Sequence, residues 1–153
     1  MKLTMLLCDH VAVAENKLYV NGGGWVEIGP DPSPTAIAVL LEVPWNQTNR
    51  KIAFHLQLLH EDGQQPVTQP GPMGPVPVIV SADLEVGRPV GVPEGAAIPV
   101  PMPINLPPLL LEPGANYYWE ADINGEKREE WRLSFRTRSR PAPPTSPTSI
   151  PPL

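Results

Sequence analysis

Three short stretches carry the residue types from which a reactive or binding site could be built. The first is Cys8-Asp9-His10. Side chains alternate along an extended chain, so Cys8 and His10 share a face while Asp9 points away. A nucleophile, a base and an orienting carboxylate do not converge from that arrangement. A thiolate and an imidazole on one face could instead give a metal two ligands, with His55 or His60 completing the set from elsewhere. The plainer reading makes Cys8 a small buried hydrophobe and lets Asp9-His10 begin a turn. No Cys/His spacing signature supports a metal centre or a thiol enzyme.

The second stretch is Asn-Gly-Gly-Gly-Trp at 21–25. It lacks the Gly-Lys-Ser/Thr ending of a phosphate-cradling loop, does not match the dinucleotide fingerprint, and precedes no helical pattern. Glycines inside a strand pattern mark a bulge, a bend or the close approach of another backbone. If alternation survives the glycines, Tyr19 and Trp25 lie opposite Leu18, Val20, Val26 and Ile28. An exposed aromatic pair beside bare backbone would then form a contact surface. In the alternative, Trp25 folds over the sheet and fills the bend.

The third set is acidic: Glu61-Asp62, the pair Asp83 and Glu85, and the mixed-sign run Glu126–Glu130. Asp83 and Glu85 share the outward face of a strand, which suits paired-carboxylate glycoside chemistry and equally suits a solvated face. The close, regular acidic spacing of a calcium loop is absent. No catalytic, metal-ligating or cofactor-binding residue is assigned, and no cofactor is expected.

The elements that would position these residues are strands. Of 153 residues 23 are proline, against a usual share of about 5%, which leaves little room for long helices. Apolar alternation runs through Lys2–Cys8, Leu18–Ile28 with the glycine interruption, Ile37–Val43, Ile52–Leu58, Val76–Val86, Ile98–Leu106, Tyr117–Ile123 and Trp131–Thr137. Eight short strands separated by turns predict an all-β, antiparallel β-sandwich of the immunoglobulin/fibronectin-like type. Asn124-Gly125 is a tight-hairpin signal.

Pro99, Pro101 and Pro103 occupy alternate positions of one predicted strand. Backbone N–H groups of alternate residues point to the same edge, so the row removes donors from one edge and leaves those of Val100, Met102 and Ile104 on the other. Such a strand closes a sheet and refuses a further neighbour. Leu111, Pro113 and Tyr117 have the spacing of a tyrosine corner.

A net charge of −5 and scattered Lys and Arg argue against nucleic acid as a partner. "MKLTMLLC" imitates a lipoprotein signal, but its apolar run is short and Leu7 replaces the expected small residue. No run approaches the roughly 18 apolar residues of a membrane span. A cytoplasmic protein with no membrane partner is expected, stabilised by packing because a single cysteine cannot staple it.

Residues 1–138 read as one sandwich domain and 139–153 as a proline-rich tail. "RSRPAPP" matches an Arg-x-x-Pro-x-x-Pro ligand through Arg138, Pro141 and Pro144, and the tail ends on apolar Ile150 and Leu153. These five, with Tyr19 and Trp25, form the candidate contact surface.

The stretches "LLCDHVAVAENKLYVNGGGWVEIGP", "TAIAVLLEVPW", "EDG", "PGANYYWEADINGE" and "LSFRT" together resemble a family of small bacterial all-β proteins of unknown function. The resemblance covers about Lys2 to Thr137 and implies a β-sandwich. It supplies no activity. The reading is therefore a non-enzymatic interaction or structural module, binding a protein partner or itself, such as a subunit of a homo-oligomeric or phage-like assembly. The alternatives are a small-ligand or carbohydrate-binding module using exposed aromatics and, least favoured, a metal-dependent hydrolase.

Overall fold

Period-two alternation sends every second side chain to one face, and the apolar faces of two sheets meet to form the core. The computed structural model describes residues 1–145 and 151–152. Twelve strands follow in order: β1 (Lys2–Cys8), β2 (His10–Ala14), β3 (Lys17–Asn21), β4 (Glu27–Ile28), β5 (Thr35–Val43), β6 (Lys51–His60), β7 (Thr68–Gln69), β8 (Val76–Pro77), β9 (Ile79–Glu85), β10 (Ile98–Leu106), β11 (Asn116–Ile123) and β12 (Glu126–Thr137). No helix among the described residues is long and apolar enough to cross a membrane.

The smaller sheet has the order β1-β5-β10 and the larger β4-β12-β11-β6-β9. Every pairing is antiparallel except the short β4 beside β12. Central strands supply the core: Ile37, Val39, Leu41 and Val43 from β5 face Phe54, Leu56 and Leu58 from β6 and Tyr117 and Trp119 from β11. Each such side chain contributes about 1.5–3 kcal/mol by leaving water.

The strand count of eight is corrected to twelve. The run Val76–Val86 is two strands, because Val78 leaves the simple ladder: its N–H donates to the Val67 carbonyl while its own carbonyl accepts from Leu58. The glycine-bearing run likewise splits into β3 and β4. A strand that alternation does not announce, β2, pairs with β3.

This β2–β3 hairpin forms a third layer, folded back on the outer face of the small sheet. Its turn places Glu15 and Asn16 at φ of 51° and 56°. Cys8, Ala36 and Ala38 are small enough on that outer face for Val11 and Leu18 to settle against them as a second, smaller core. Asn105 of β10 ties the layer down: its Oδ1 accepts the Val11 N–H at 3.1 Å and its Nδ2 donates to the Val11 carbonyl at 2.8 Å. The amide thus stands in for a neighbouring strand's backbone.

The proline row lies on a sheet edge, as expected. β10 pairs only with β5, with Val100 opposite Leu41 and Met102 opposite Val39. Proline has no N–H, so the ladder runs through the even-numbered residues and the prolines line the outer edge. The tyrosine corner is also formed. Tyr117 is buried, and its hydroxyl accepts the Glu112 N–H at 2.8 Å. Thr137 Oγ1 donates to the Glu112 carbonyl and accepts the Ala115 N–H at 3.0 Å, which joins the corner to the last strand.

Candidate functional site

The glycine triplet is a crossover between the two sheets. Gly24 N–H donates to the Leu7 carbonyl at the edge of β1, at 2.7 Å. Two residues later Val26 accepts from Arg136 N–H at 3.0 Å, and Ile28 accepts from Arg138 N–H at 2.8 Å, both at the edge of β12. The crossing runs tight over existing side chains: a Cβ on Gly23 would stand 2.8 Å from Val20 and 2.9 Å from Leu6. At Gly22, φ is +60° and a Cβ would collide with the Asp9 carboxylate. Close approach and a left-handed backbone account for the glycines.

That path selects the alternative in which Trp25 fills the bend, over the exposed aromatic pair. Trp25 lies midway between the sheets, half-buried against the main core and edge-on to Phe135 with centroids 5.9 Å apart. Its indole Nε1 is buried with no hydrogen-bond partner among the described residues. Tyr19 is on the solvent face of the hairpin opposite Ala12, and is 50% exposed. The two rings therefore do not form one exposed surface.

The tail residues divide. Arg138 belongs to the sandwich closure: its Nε donates to Glu27 at 2.8 Å, beside Arg136 at 2.7 Å, and its carbonyl accepts the Gly114 N–H. These two guanidinium contacts, Arg138 first, hold the Glu27 carboxyl below the usual carboxylate range. Arg138 is thus already engaged rather than presented as the anchor of a proline-rich ligand. Pro141 and Pro144 are exposed. Ile150 and Leu153 lie outside the described residues.

The sequence candidates for metal chemistry are scattered. Cys8 is fully buried beneath the hairpin, and burial pushes its thiol pKa up. His10 is exposed on β2, His55 faces outward from β6, and His60 stacks at a tilt on Tyr117 with centroids 5.0 Å apart. Among the described residues no group of three or more His, Cys, Asp or Glu side chains is placed to hold a metal ion.

One pairing had no signal in the sequence. His55 Nδ1 lies 2.8 Å from Ser81 Oγ on neighbouring strands, and Asp122 stands across from His55 on the other side. A hydroxyl, an imidazole and a carboxylate thus form a row beside a shallow hollow of about 200 Å³. The Asp122 carboxylate, however, accepts the Gly125 N–H at 2.7 Å and so holds the hairpin turn. Only strand register brings these residues together; 26 positions separate His55 from Ser81. A second hollow, of about 290 Å³, opens at one end of the sandwich among Gln47, Arg50, Lys51, Arg128 and Trp131.

The lateral edges differ sharply. On one side β1 packs beside β12 and the glycine crossover spans the gap. On the other side the edges are β10, with its proline row, and β9. In β9 the carbonyl that follows the strand, Val86, accepts from Asn49, and the one that precedes it, Val78, accepts from Leu58. Even-numbered groups therefore face β6, and the N–H and C=O groups of Ile79, Ser81, Asp83 and Glu85 face outward. Among the described residues no backbone partner reaches these four. Their side chains are exposed as well. The guarding that the proline row gives β10 has no counterpart in β9, whose outer residues include no proline.

A two-sheet antiparallel β-sandwich, with a tyrosine corner and a hairpin folded on its smaller sheet, is the class this architecture defines. Residues 3–136 match a family of unknown function (DUF6941), and the chain belongs to that family. No curated protein matches the chain.

Proposed function

We propose that this protein is a non-enzymatic protein-contact module, a subunit or adaptor that receives its partner along the β9 edge. The carrying observation is the contrast between the two edges on one side of the sandwich. Three prolines remove the outward donors of β10 at 99, 101 and 103 and leave that of Asn105, while β9 offers outward backbone groups at four positions over a strand about 20 Å long. An unprotected edge is a template for strand addition, a recurrent mode of protein recognition. Tyr19 and the exposed residues 141–145 are secondary contact candidates.

Light scattering over a concentration series tests the proposal on the full chain, on a chain ending at Arg138, and on Ser81→Pro. Proline at 81 removes an outward N–H and leaves the inner ladder intact. Assembly lost in Ser81→Pro supports contact through β9. Assembly lost only on truncation moves the contact to the tail. Monomers throughout exclude self-association and leave a different chain as the partner. Hydrolysis of a chromogenic ester that disappears in both Ser81→Ala and His55→Ala would overturn the non-enzymatic reading.

The second reading, a small-ligand module, is favoured by the end hollow, where Arg50 and Lys51 stand over an apolar floor of Ile52, Ile123 and Trp131. Arg50→Ala with Lys51→Ala would abolish binding of a small aromatic carboxylate if that reading is correct, measured by ligand-observed NMR.

A further inference from the structure

We infer that the occupant of the β9 edge is an extended segment of another protein, paired antiparallel, in which basic residues alternate with apolar ones. This rests on the reading of β9 as a contact edge and goes on to name what the edge selects.

The argument is one of register and charge. In an antiparallel ladder the residues that exchange backbone hydrogen bonds also place their side chains on the same face. The outward-bonding residues of β9 are Ile79, Ser81, Asp83 and Glu85, and their side chains lie on the solvent face of the large sheet. The residues of an added strand that pair with them therefore project beside Asp83 and Glu85. Neither carboxylate forms an ion pair among the described residues. Opposite charges directly across a ladder are favourable and like charges are not. Lysine or arginine is what these positions accept; a second copy of β9 paired antiparallel over its full length would set Asp83 across from Ser81 and Glu85 across from Ile79, and so offers neither carboxylate a cation.

The other face sets the apolar half of the pattern. Val80, Ala82 and Leu84 point inward and are only half-buried at the rim of the core. Valine, leucine or alanine at alternate positions of the added strand would extend the core over them. The β10 edge across the opening has carbonyls but no proline N–H, so the incoming strand has one sheet to join and not two.

The test uses the full chain labelled with 15N and short capped peptides. One alternates lysine and valine; a second has glutamate for lysine; a third is the lysine peptide N-methylated at the lysine amides that would pair. The lysine peptide is expected to slow amide exchange at Ser81 and Asp83 and to bind about tenfold more tightly than the glutamate peptide. Methylation is expected to abolish both effects. Asp83→Lys with Glu85→Lys is expected to invert the preference; both side chains are exposed, and if that variant does not fold, the peptide comparison on the native chain decides alone.

Equal protection by the lysine and glutamate peptides overturns the basic partner and leaves β9 standing as a contact edge. Undiminished binding of the methylated peptide shows attraction by charge alone and overturns strand pairing. No protection by any peptide overturns the reading of β9 as well.

Discussion

Replacing Asn105 by aspartate is expected to loosen the β2–β3 hairpin without unfolding the sandwich, and Cys8 reports on it. Aspartate keeps the acceptor for the Val11 N–H but loses the donor, and turns a charged oxygen toward the Val11 carbonyl. Loss of the Nδ2 donor removes one hydrogen bond, about 0.5–1.5 kcal/mol net, and the charged oxygen set against the Val11 carbonyl adds about 1 kcal/mol, so about 2 kcal/mol of hairpin closure is at stake. At 1.4 kcal/mol per factor of ten, the open population rises about thirtyfold. Cys8 lies fully buried beneath Val11 and Leu18, and it is the chain's one thiol. Burial also holds its pKa above the ordinary value, so the closed state is doubly protected.

The assay is the rate of Cys8 reaction with a chromogenic aromatic disulfide, run beside urea denaturation. Where closing is faster than reaction, the rate follows the open population. Asn105→Asp should react about thirty times faster than the native chain, and Asn105→Ala, which adds no charge, somewhat less. The urea midpoint should move by a smaller equivalent, because the main core lies on the other side of the small sheet. An unchanged rate in both variants would refute the reasoning. So would a rate that rises with urea as steeply as global unfolding, since the hairpin would then not open by itself.

Tyr117→Phe should cost about 1 kcal/mol, the low end for a donor left without its acceptor, because Glu112 lies near solvent. A thermal melt should show a fall of about 2–4 °C, with Tyr118→Phe as a near-neutral control. Glu27→Gln should remove part of the acid sensitivity. The depressed folded pKa means that its contribution is present above the ordinary glutamate value of 4.5 and fades as pH falls through the lower folded value. Urea titrations at neutral and acid pH should therefore converge for the variant and the native chain at the acid end. Changing Pro99, Pro101 and Pro103 together to valine restores three outward donors to β10, and light scattering should show more association than the native chain gives at the same concentration.

Much of the architecture was legible because it rests on local rules. Alternation from Ile37 to Val43 and from Ile52 to Leu58 needs no partner to announce which side chains go inward. Asn124-Gly125 fills its turn because both residues take positive φ, at 52° and 83°. The proline row announces an edge for the same reason, since a missing N–H is a property of the residue itself. Tyr117 was legible too, because its corner closes over only five positions.

What the chain left open depends on distance along the sequence. The glycines beside Trp25 left open whether its ring fills the bend or faces solvent; the inward turn follows from Gly24 bonding to Leu7 on one side and Val26 to Arg136 on the other. The third layer needed small residues on two separate strands, Cys8 on β1 and Ala36 and Ala38 on β5, together with an amide 94 positions from Val11. The His55–Ser81 contact and the open edge of β9 exist only through register and strand order. Residue chemistry alone determined the long core strands, the faces they bury and which edge refuses a neighbour. Only the tertiary structure decided which edge remains free, because an edge is defined by the neighbours a strand does not have.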